Sequence, residues 1–214
     1  INGQWTQGAI FLYEAGNDAD KIIFWMRLPM MLLALFFGGL FFWWTKKNFG
    51  PSVAVLSLAF YAFSPTILAH SRFVTTDLAA AFAFFIGIVS FLKFLEVPAW
   101  KNVFIAGALF GVAQLLKFSL FLLVPIYSVL LVVWVVVQIH LRRPERLSLF
   151  FKLLGKTIVV GLAGLVLIWA VYAYHVWNYP PERQLNDAEF ILTSFGNRTL
   201  VNFDLWLVKQ PLLR

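Results

Sequence analysis

Three ionisable side chains lie within eight residues in the stretch LAHSRFVTTDLAAAF, residues 68–82: His70, Arg72 and Asp77. An arginine side chain can bind a phosphate group through two parallel hydrogen bonds. A carboxylate can accept the proton of a hydroxyl group. These residue types therefore suit the binding of an anion and the activation or orientation of a hydroxyl. What they act on depends on the elements that position them.

The composition of the chain places these residues in a membrane protein. Of 214 residues, 61% are hydrophobic and 13% charged, and the mean hydropathy is +0.82. Soluble domains carry about 45–50% apolar and about 25% charged residues. The absence of cysteine excludes disulfides and thiolate metal sites. The net charge of +7 is better explained by membrane topology than by nucleic-acid binding, so no nucleic-acid partner is expected.

Six apolar stretches are candidates for membrane-spanning helices, because a bilayer core of about 30 Å requires roughly 20 helical residues. They are residues 22–44, 51–68, 78–95, 102–116, 119–140 and 157–177. Pro51 suits the first turn of the second stretch, and Pro65 is expected to kink or end it. The sequence thus predicts an all-α, polytopic integral membrane protein with about six spans.

The basic residues indicate which connecting segments face the cytoplasm. Nine basic residues against two acidic ones fall on one side if the six spans alternate. These are Lys46, Lys47, Lys93, Lys101, Arg142, Arg143, Arg146, Lys152 and Lys156, with Glu96 and Glu145. The positive-inside rule assigns this side to the cytoplasm. The stretch that contains His70, Arg72 and Asp77 is therefore predicted to face outward at the membrane surface.

Two further basic residues are predicted near the same face. Arg27 lies inside the first span, where an ionisable side chain usually faces a cavity or a partner. Lys117 follows the short fourth span, whose fifteen residues cover only about 22 Å, so it is expected below the outer surface. Together these residues predict a recessed outward cavity lined by Arg27, His70, Arg72, Asp77 and Lys117.

Structural roles are alternatives for each of these residues. Arg27 and Lys117 could extend to lipid phosphates. Asp77 could cap the third helix, with or without a role in a site, and His70 could be a packing residue. A separate Asp-x-Asp pattern, Asp18 and Asp20, resembles a metal-binding signature of sugar transfer. A lone pair of this kind is a weak signal, and the sequence leaves open whether it binds a metal.

The apolar pattern divides the chain into three segments. Residues 1–21 are interpreted as the end of an outer loop, residues 22–177 as the transmembrane core, and residues 178–214 as outer amphipathic surface helices. Because the chain begins at Ile1 rather than Met, we expect it to be part of a longer protein.

Three stretches carry a resemblance to a known family: WMRLPMMLLALFFGGLFFWW, AFSPTILAHSRFVTTDLAAAFAFF and GALFGVAQLLKFSLFLLVPI. They resemble the core of the protein O-mannosyltransferase-like glycosyltransferases. These form glycosyltransferase family 39 of the GT-C superfamily, which also includes lipid A aminoarabinose transferases. The specific features are Arg27-Leu-Pro, the Arg72 to Asp77 spacing, and the Gly111 to Lys117 spacing. The resemblance extends to about Trp177.

The resemblance implies inverting transfer of a sugar from a polyprenyl-phosphate donor to a protein, lipid or glycan acceptor. It implies that Arg27, Arg72 and Lys117 bind the donor phosphate, that Asp77 has an orienting or supporting role, and that His70 has a possible one. The main base of the family belongs to an acidic pair in an outer loop, which would lie upstream of Ile1. No metal or other cofactor is expected.

The resemblance also implies a location. The protein would be integral to the plasma (inner) membrane of a prokaryote, or to the endoplasmic reticulum membrane of a eukaryote, with the active site facing outward among membrane lipids. The alternative is a multispanning transporter or lipid flippase with an outward-facing charged cavity. Transporters usually place their charges near the bilayer midplane and in repeated halves. Here the charges are predicted at one face, and the two halves show no convincing repeat.

Overall fold

The computed structural model describes residues 3–140, 146–194 and 198–210. The structure is 86% helical, and the described ranges contain no β-strand. Ten α-helices follow one another in these ranges: α1 Gln4–Ala9, α2 Ala19–Phe49, α3 Pro51–Ala62, α4 Pro65–His70, α5 Asp77–Glu96, α6 Trp100–Leu116, α7 Leu123–His140, α8 Arg146–His175, α9 Pro181–Leu192 and α10 Arg198–Val208. A π-helical turn (Ile10–Glu14) follows α1, and a 3₁₀ turn (Phe118–Leu122) precedes α7.

Four helical segments are long and apolar enough to cross a membrane: Ala19–Phe49, Asp77–Glu96, Phe118–Gln138 and Ser148–His175. The helices Pro51–Ala62 and Trp100–Leu116 are apolar but shorter. Large apolar side chains such as Leu35 and Phe60 are 74% and 72% exposed, as expected for surfaces that meet lipid rather than water. The predicted all-α integral membrane architecture is confirmed.

Several helices are longer than the apolar stretches that predicted them. α2 continues past residue 44 to Phe49, and α8 begins at Arg146 rather than at 157. The basic residues Lys46, Lys47, Lys152 and Lys156 are therefore helical, although they were predicted in loops. An apolar run marks only the part of a helix that suits lipid. The backbone hydrogen bonds of the helix can continue beyond that run. Residues 141–145 of the predicted basic loop lie outside the described residues.

The chain forms two compact units, residues 1–86 and 87–214. This division reflects packing, so the predicted outer segments 1–21 and 178–214 stay predictions. Residues 4–14 of the first of these segments are helical.

The first unit is held by α2 and α3. α2 ends at Gly50, whose φ of +91° is a left-handed value that glycine adopts without strain, and Pro51 then starts α3. The hydroxyl of Tyr61 donates a hydrogen bond to the carbonyl of Ala34 (2.8 Å). The ring of Phe37 meets that of Tyr61 at 5.2 Å, so an aromatic cluster fixes the two helices against each other.

A break separates α3 from α4, as Pro65 predicts. α3 ends at Ala62, and the hydroxyl of Ser64 accepts a hydrogen bond from the backbone N–H of Ile67 (3.4 Å). Pro65 occupies the start of α4, where its missing N–H costs no helical hydrogen bond. The break turns one predicted span into two helices and leaves His70 at the end of the second.

In the second unit, α6 and α8 approach each other through glycine. A Cβ atom added at Gly111 would lie 2.8 Å from the carbonyl oxygen of Gly164, and one added at Gly107 would lie 2.7 Å from the Cβ of Ala163. Small residues spaced four apart allow such backbone contact between membrane helices. The Gly107-x-x-x-Gly111 pattern is present in the sequence but does not by itself identify α8 as the partner.

Lys156 of α8 contacts the connection between α5 and α6, which is predicted to face the cytoplasm. Its ammonium group donates a hydrogen bond to the carbonyl of Pro98 and lies 5.1 Å from the ring centroid of Trp100. The short connection between α5 and α6 is therefore attached to α8.

Candidate functional site

His70 and Asp77 come together across the turn between α4 and α5. The Nδ1 atom of His70 lies 3.4 Å from an Oδ atom of Asp77 and 3.5 Å from the hydroxyl oxygen of Thr75. The two side chains are 37% and 43% exposed. Because Nδ1 faces both oxygens, a neutral ring that donates from Nδ1 leaves Nε2 as an acceptor. The pair is thus partly exposed to solvent.

The two side chains of this pair lie at the ends of two helices. His70 lies in the last turn of α4 and Asp77 in the first turn of α5. A helix favours a cation at its C-terminus and an anion at its N-terminus. The structure starts α5 at Asp77 itself, so the carboxylate belongs to the first turn rather than to the predicted capping position before it.

Arg72 and Arg27 belong to the same unit as the pair. Arg72 is exposed in the turn that joins α4 to α5, and Arg27 is half-buried in α2. Neither guanidinium forms a hydrogen bond or an ion pair with any residue in the described ranges. Each of these two groups therefore keeps its donors available for an anion.

An apolar cavity of about 340 Å³ lies between α2, α3 and α4. Its lining residues are Met31, Ala34, Leu35, Tyr61, Ala62, Ile67, Leu68 and Ser71. Met31 follows Arg27 by one helical turn, and residues four apart lie on the same face of a helix. Ser71 immediately precedes Arg72. Arg27 and Arg72 are thus close along the chain to residues that line the cavity, but they are not themselves part of its lining.

The sequence did not lead us to predict which residues line this cavity. Residues 27, 31 and 35 have the spacing of one helix face, which would have placed Met31 and Leu35 beside Arg27. No local pattern places Tyr61 and Ile67 opposite them, because that depends on the break before Pro65.

Lys117 lies in the second unit, between α6 and the following 3₁₀ turn. Its backbone is extended (φ −156°, ψ 123°), and its N–H donates to the carbonyl of Ala113 (3.1 Å). The side-chain amide of Gln114 donates to the carbonyl of Leu120 (3.0 Å) and closes the turn around Lys117. Lys117 is half-buried. α6 has 17 residues, about 25 Å, which is shorter than a bilayer core.

Asp18 and Asp20 have structural positions at the start of α2. The carboxylate of Asp18 accepts a hydrogen bond from the backbone N–H of Lys21 (3.1 Å), and Asp20 lies in the first turn. Among the residues that the structure describes, no group of three or more His, Cys, Asp or Glu side chains could hold a metal ion. The structure therefore gives Asp18 a capping role at the start of α2.

Replacing Asp18 by alanine is expected to cost about 1 kcal/mol of stability, because the N–H of Lys21 loses its acceptor. Asp18→Asn keeps an acceptor oxygen and should leave stability nearly unchanged. Thermal unfolding of the two variants in detergent measures the difference. A metal role would instead make both variants lose activity and make the wild type sensitive to a chelator.

Comparison with known proteins identifies the family. Residues 19–169, from the start of α2 into α8, match the family described as dolichyl-phosphate-mannose-protein mannosyltransferase. No curated protein matches the chain, and no solved structure does. The matched segment contains Arg27, His70, Arg72, Asp77 and Lys117 and covers more than two thirds of the chain. The chain therefore belongs to the dolichyl-phosphate-mannose-protein mannosyltransferase family and is a membrane-integral, mannosyltransferase-like glycosyltransferase of the GT-C type.

Proposed function

We propose that the protein transfers a sugar from a polyprenyl-phosphate-linked donor to an acceptor hydroxyl at the outward face of the membrane. The observation that carries this proposal is the apolar cavity whose lining includes Met31, one helical turn after Arg27, and Ser71, the residue before Arg72. A lipid-linked sugar has a long apolar chain and an anionic phosphate, and this unit contains both an apolar cavity and two arginine residues.

The leaving group explains why cations are needed. The acceptor oxygen forms a bond to the anomeric carbon while the bond from that carbon to the phosphate oxygen breaks, and the configuration inverts. Negative charge then builds on the lipid phosphate, and fixed cations in a site of low dielectric constant stabilise it far better than water does. Arg27 and Arg72 are assigned to this phosphate, because the guanidinium group suits bidentate binding.

Lys117 is retained as a further phosphate ligand on the basis of the resemblance and of its half-buried position after a short helix. The ammonium group would act as a point charge. No metal is assigned to the reaction, because these basic residues would neutralise the phosphate.

The carboxylate of Asp77 is assigned to orienting the acceptor or the sugar. Its exposed fraction allows contact with a substrate, and His70 and the N-terminus of α5 hold it in place. The acceptor must also lose a proton to a base. The acidic pair that the resemblance implies for that task has no counterpart in this sequence, so Asp77 supports the reaction rather than serving as its main base.

The outward orientation rests on the distribution of charge along the chain. It places the site on the outer side of the plasma (inner) membrane in a prokaryote, or on the lumenal side of the endoplasmic reticulum in a eukaryote. The acceptor is then a protein hydroxyl, a lipid or a glycan that is exposed on that side.

The proposal is tested with the protein reconstituted in vesicles and supplied with radiolabelled polyprenyl-phosphate mannose. We expect release of polyprenyl phosphate and transfer of label to an acceptor. A nucleotide-linked mannose should give no transfer, and a chelator should have no effect. Transfer from the nucleotide sugar alone, or complete loss of activity with the chelator, would contradict the proposed donor and the metal-free mechanism. Lipid movement without chemical turnover would favour a flippase.

A further inference from the structure

The last described helix, α10, exposes an apolar face. Leu200, Phe203 and Trp206 are 58%, 56% and 56% exposed, and the rings of Phe203 and Trp206 stack with centroids 6.1 Å apart. Residues 200, 203 and 206 are three apart and are therefore neighbours along one side of the helix. Large aromatic side chains on such a face usually mark an interaction surface.

The opposite side of α10 already has a partner. Val201 is 7% exposed, Leu205 and Val208 are half-buried, and α10 packs against α9. α10 is therefore apolar on two sides, and packing on α9 accounts for only one of them. Contact with an apolar phase would bury the second side of α10, which carries Phe203 and Trp206.

α9 has a different outer surface. Arg183 lies 3.9 Å from Asp187, the hydroxyl of Tyr179 donates to the same carboxylate, and the guanidinium lies 5.7 Å from the Tyr179 ring centroid. Glu182 and Glu189 are also exposed. Phe190 and Ile191, near the C-terminal end of α9, are 82% and 58% exposed. The part of α9 between Glu182 and Glu189 is charged and suits water rather than lipid.

The position of α9 and α10 along the chain indicates what covers α10. The membrane-spanning segment of α8 ends at His175. Tyr172, Tyr174 and Trp177 near this end are 62%, 81% and 83% exposed, as in the aromatic belts of membrane interfaces. Only residues 176–180 separate α8 from α9, so α9 and α10 follow directly after the bilayer surface. Arg198 and Lys209, at the two ends of α10, are exposed and suit lipid phosphates.

We propose that α10 lies in the lipid–water interface on the side of the membrane where α8 ends. Phe203 and Trp206 contact the lipid, and α9 covers α10 on the water side. The α9–α10 pair is then a surface arm whose partner is the bilayer itself. This inference does not depend on the identity of the sugar donor.

The absence of cysteine in the chain allows a direct test with single-cysteine variants. Phe203→Cys and Trp206→Cys report on the exposed face of α10, and Asn186→Cys on the exposed surface of α9 is the matched control. Each variant is labelled with an environment-sensitive fluorophore and reconstituted in vesicles of phosphatidylcholine and phosphatidylglycerol. Because these side chains are exposed, their replacement removes little packing inside the protein, and thermal unfolding verifies that each labelled variant is folded.

We expect the labels at 203 and 206 to be quenched severalfold more by a lipid-attached nitroxide than by aqueous iodide, with the reverse at 186. Iodide quenching at 203 and 206 equal to that at 186 would show that the face lies in water. Protection from both quenchers would show that protein covers it. Either result overturns the proposal.

Discussion

Gly111→Ala is expected to destabilise the protein by about 1–3 kcal/mol, the usual cost of overpacking a well-packed contact. The added methyl group would lie 2.8 Å from the carbonyl oxygen and 3.1 Å from the Cα of Gly164. Both atoms belong to the backbone of α8, so no side chain can move aside to make room. Since α6 and α8 must separate, the midpoint of thermal unfolding in detergent should fall clearly.

Gly161→Ala in α8 is the matched control. A Cβ atom at that position has nothing within 4 Å, and alanine costs less backbone entropy than glycine in a helix. Its unfolding midpoint should equal or slightly exceed that of the wild type. Equal midpoints for Gly111→Ala and Gly161→Ala would show that α6 and α8 do not touch at Gly111 in the membrane protein.

Asp77→Asn is expected to lower the rate of sugar transfer by about 10²-fold, the loss that a displacement of about 1 Å of a bound reactant can cause. The amide keeps the size of the side chain but loses the negative charge that lies beside His70 and that is proposed to orient the acceptor or the sugar. Loss of a favourable helix-terminus charge costs only about 0.3–1 kcal/mol. The turnover number should therefore fall far more than the thermal stability.

Asp20→Asn is the control for Asp77→Asn, because Asp20 is also an exposed carboxylate in the first turn of an apolar helix. Its transfer rate should match that of the wild type. Asp77→Asn protein that retains full turnover, or that loses turnover only in proportion to the folded fraction, would restrict Asp77 to a structural role at the start of α5.

The features that the sequence predicted correctly depend on local chemistry. The apolar runs indicate membrane helices, Pro65 marks the start of a new helix after a break, and the family match agrees with the resemblance read from three stretches. Helix ends were predicted less well. α2 and α8 continue beyond their apolar runs, since a helix needs only backbone hydrogen bonds to extend into water.

The candidate site was predicted in part. Arg27, His70, Arg72, Asp77 and Lys117 were selected for their charge in an apolar chain, and their functional roles stay predictions. The structure adds the contact between His70 and Asp77 and the apolar cavity between α2, α3 and α4. The sequence contained the side chains of that contact but not the conformation of the turn that makes it.

Sequence alone therefore determined the class of this protein: an all-α membrane glycosyltransferase with a cluster of ionisable residues before α5. Hydropathy, proline and charge are properties of single residues and short runs, so they can be read without coordinates. Only the tertiary structure decided that Gly111 meets Gly164, that Asp18 caps α2, and that Tyr61 and Ile67 enclose a cavity with Met31. Contacts between helices depend on how distant surfaces fit together, and no local pattern specifies which surfaces will meet.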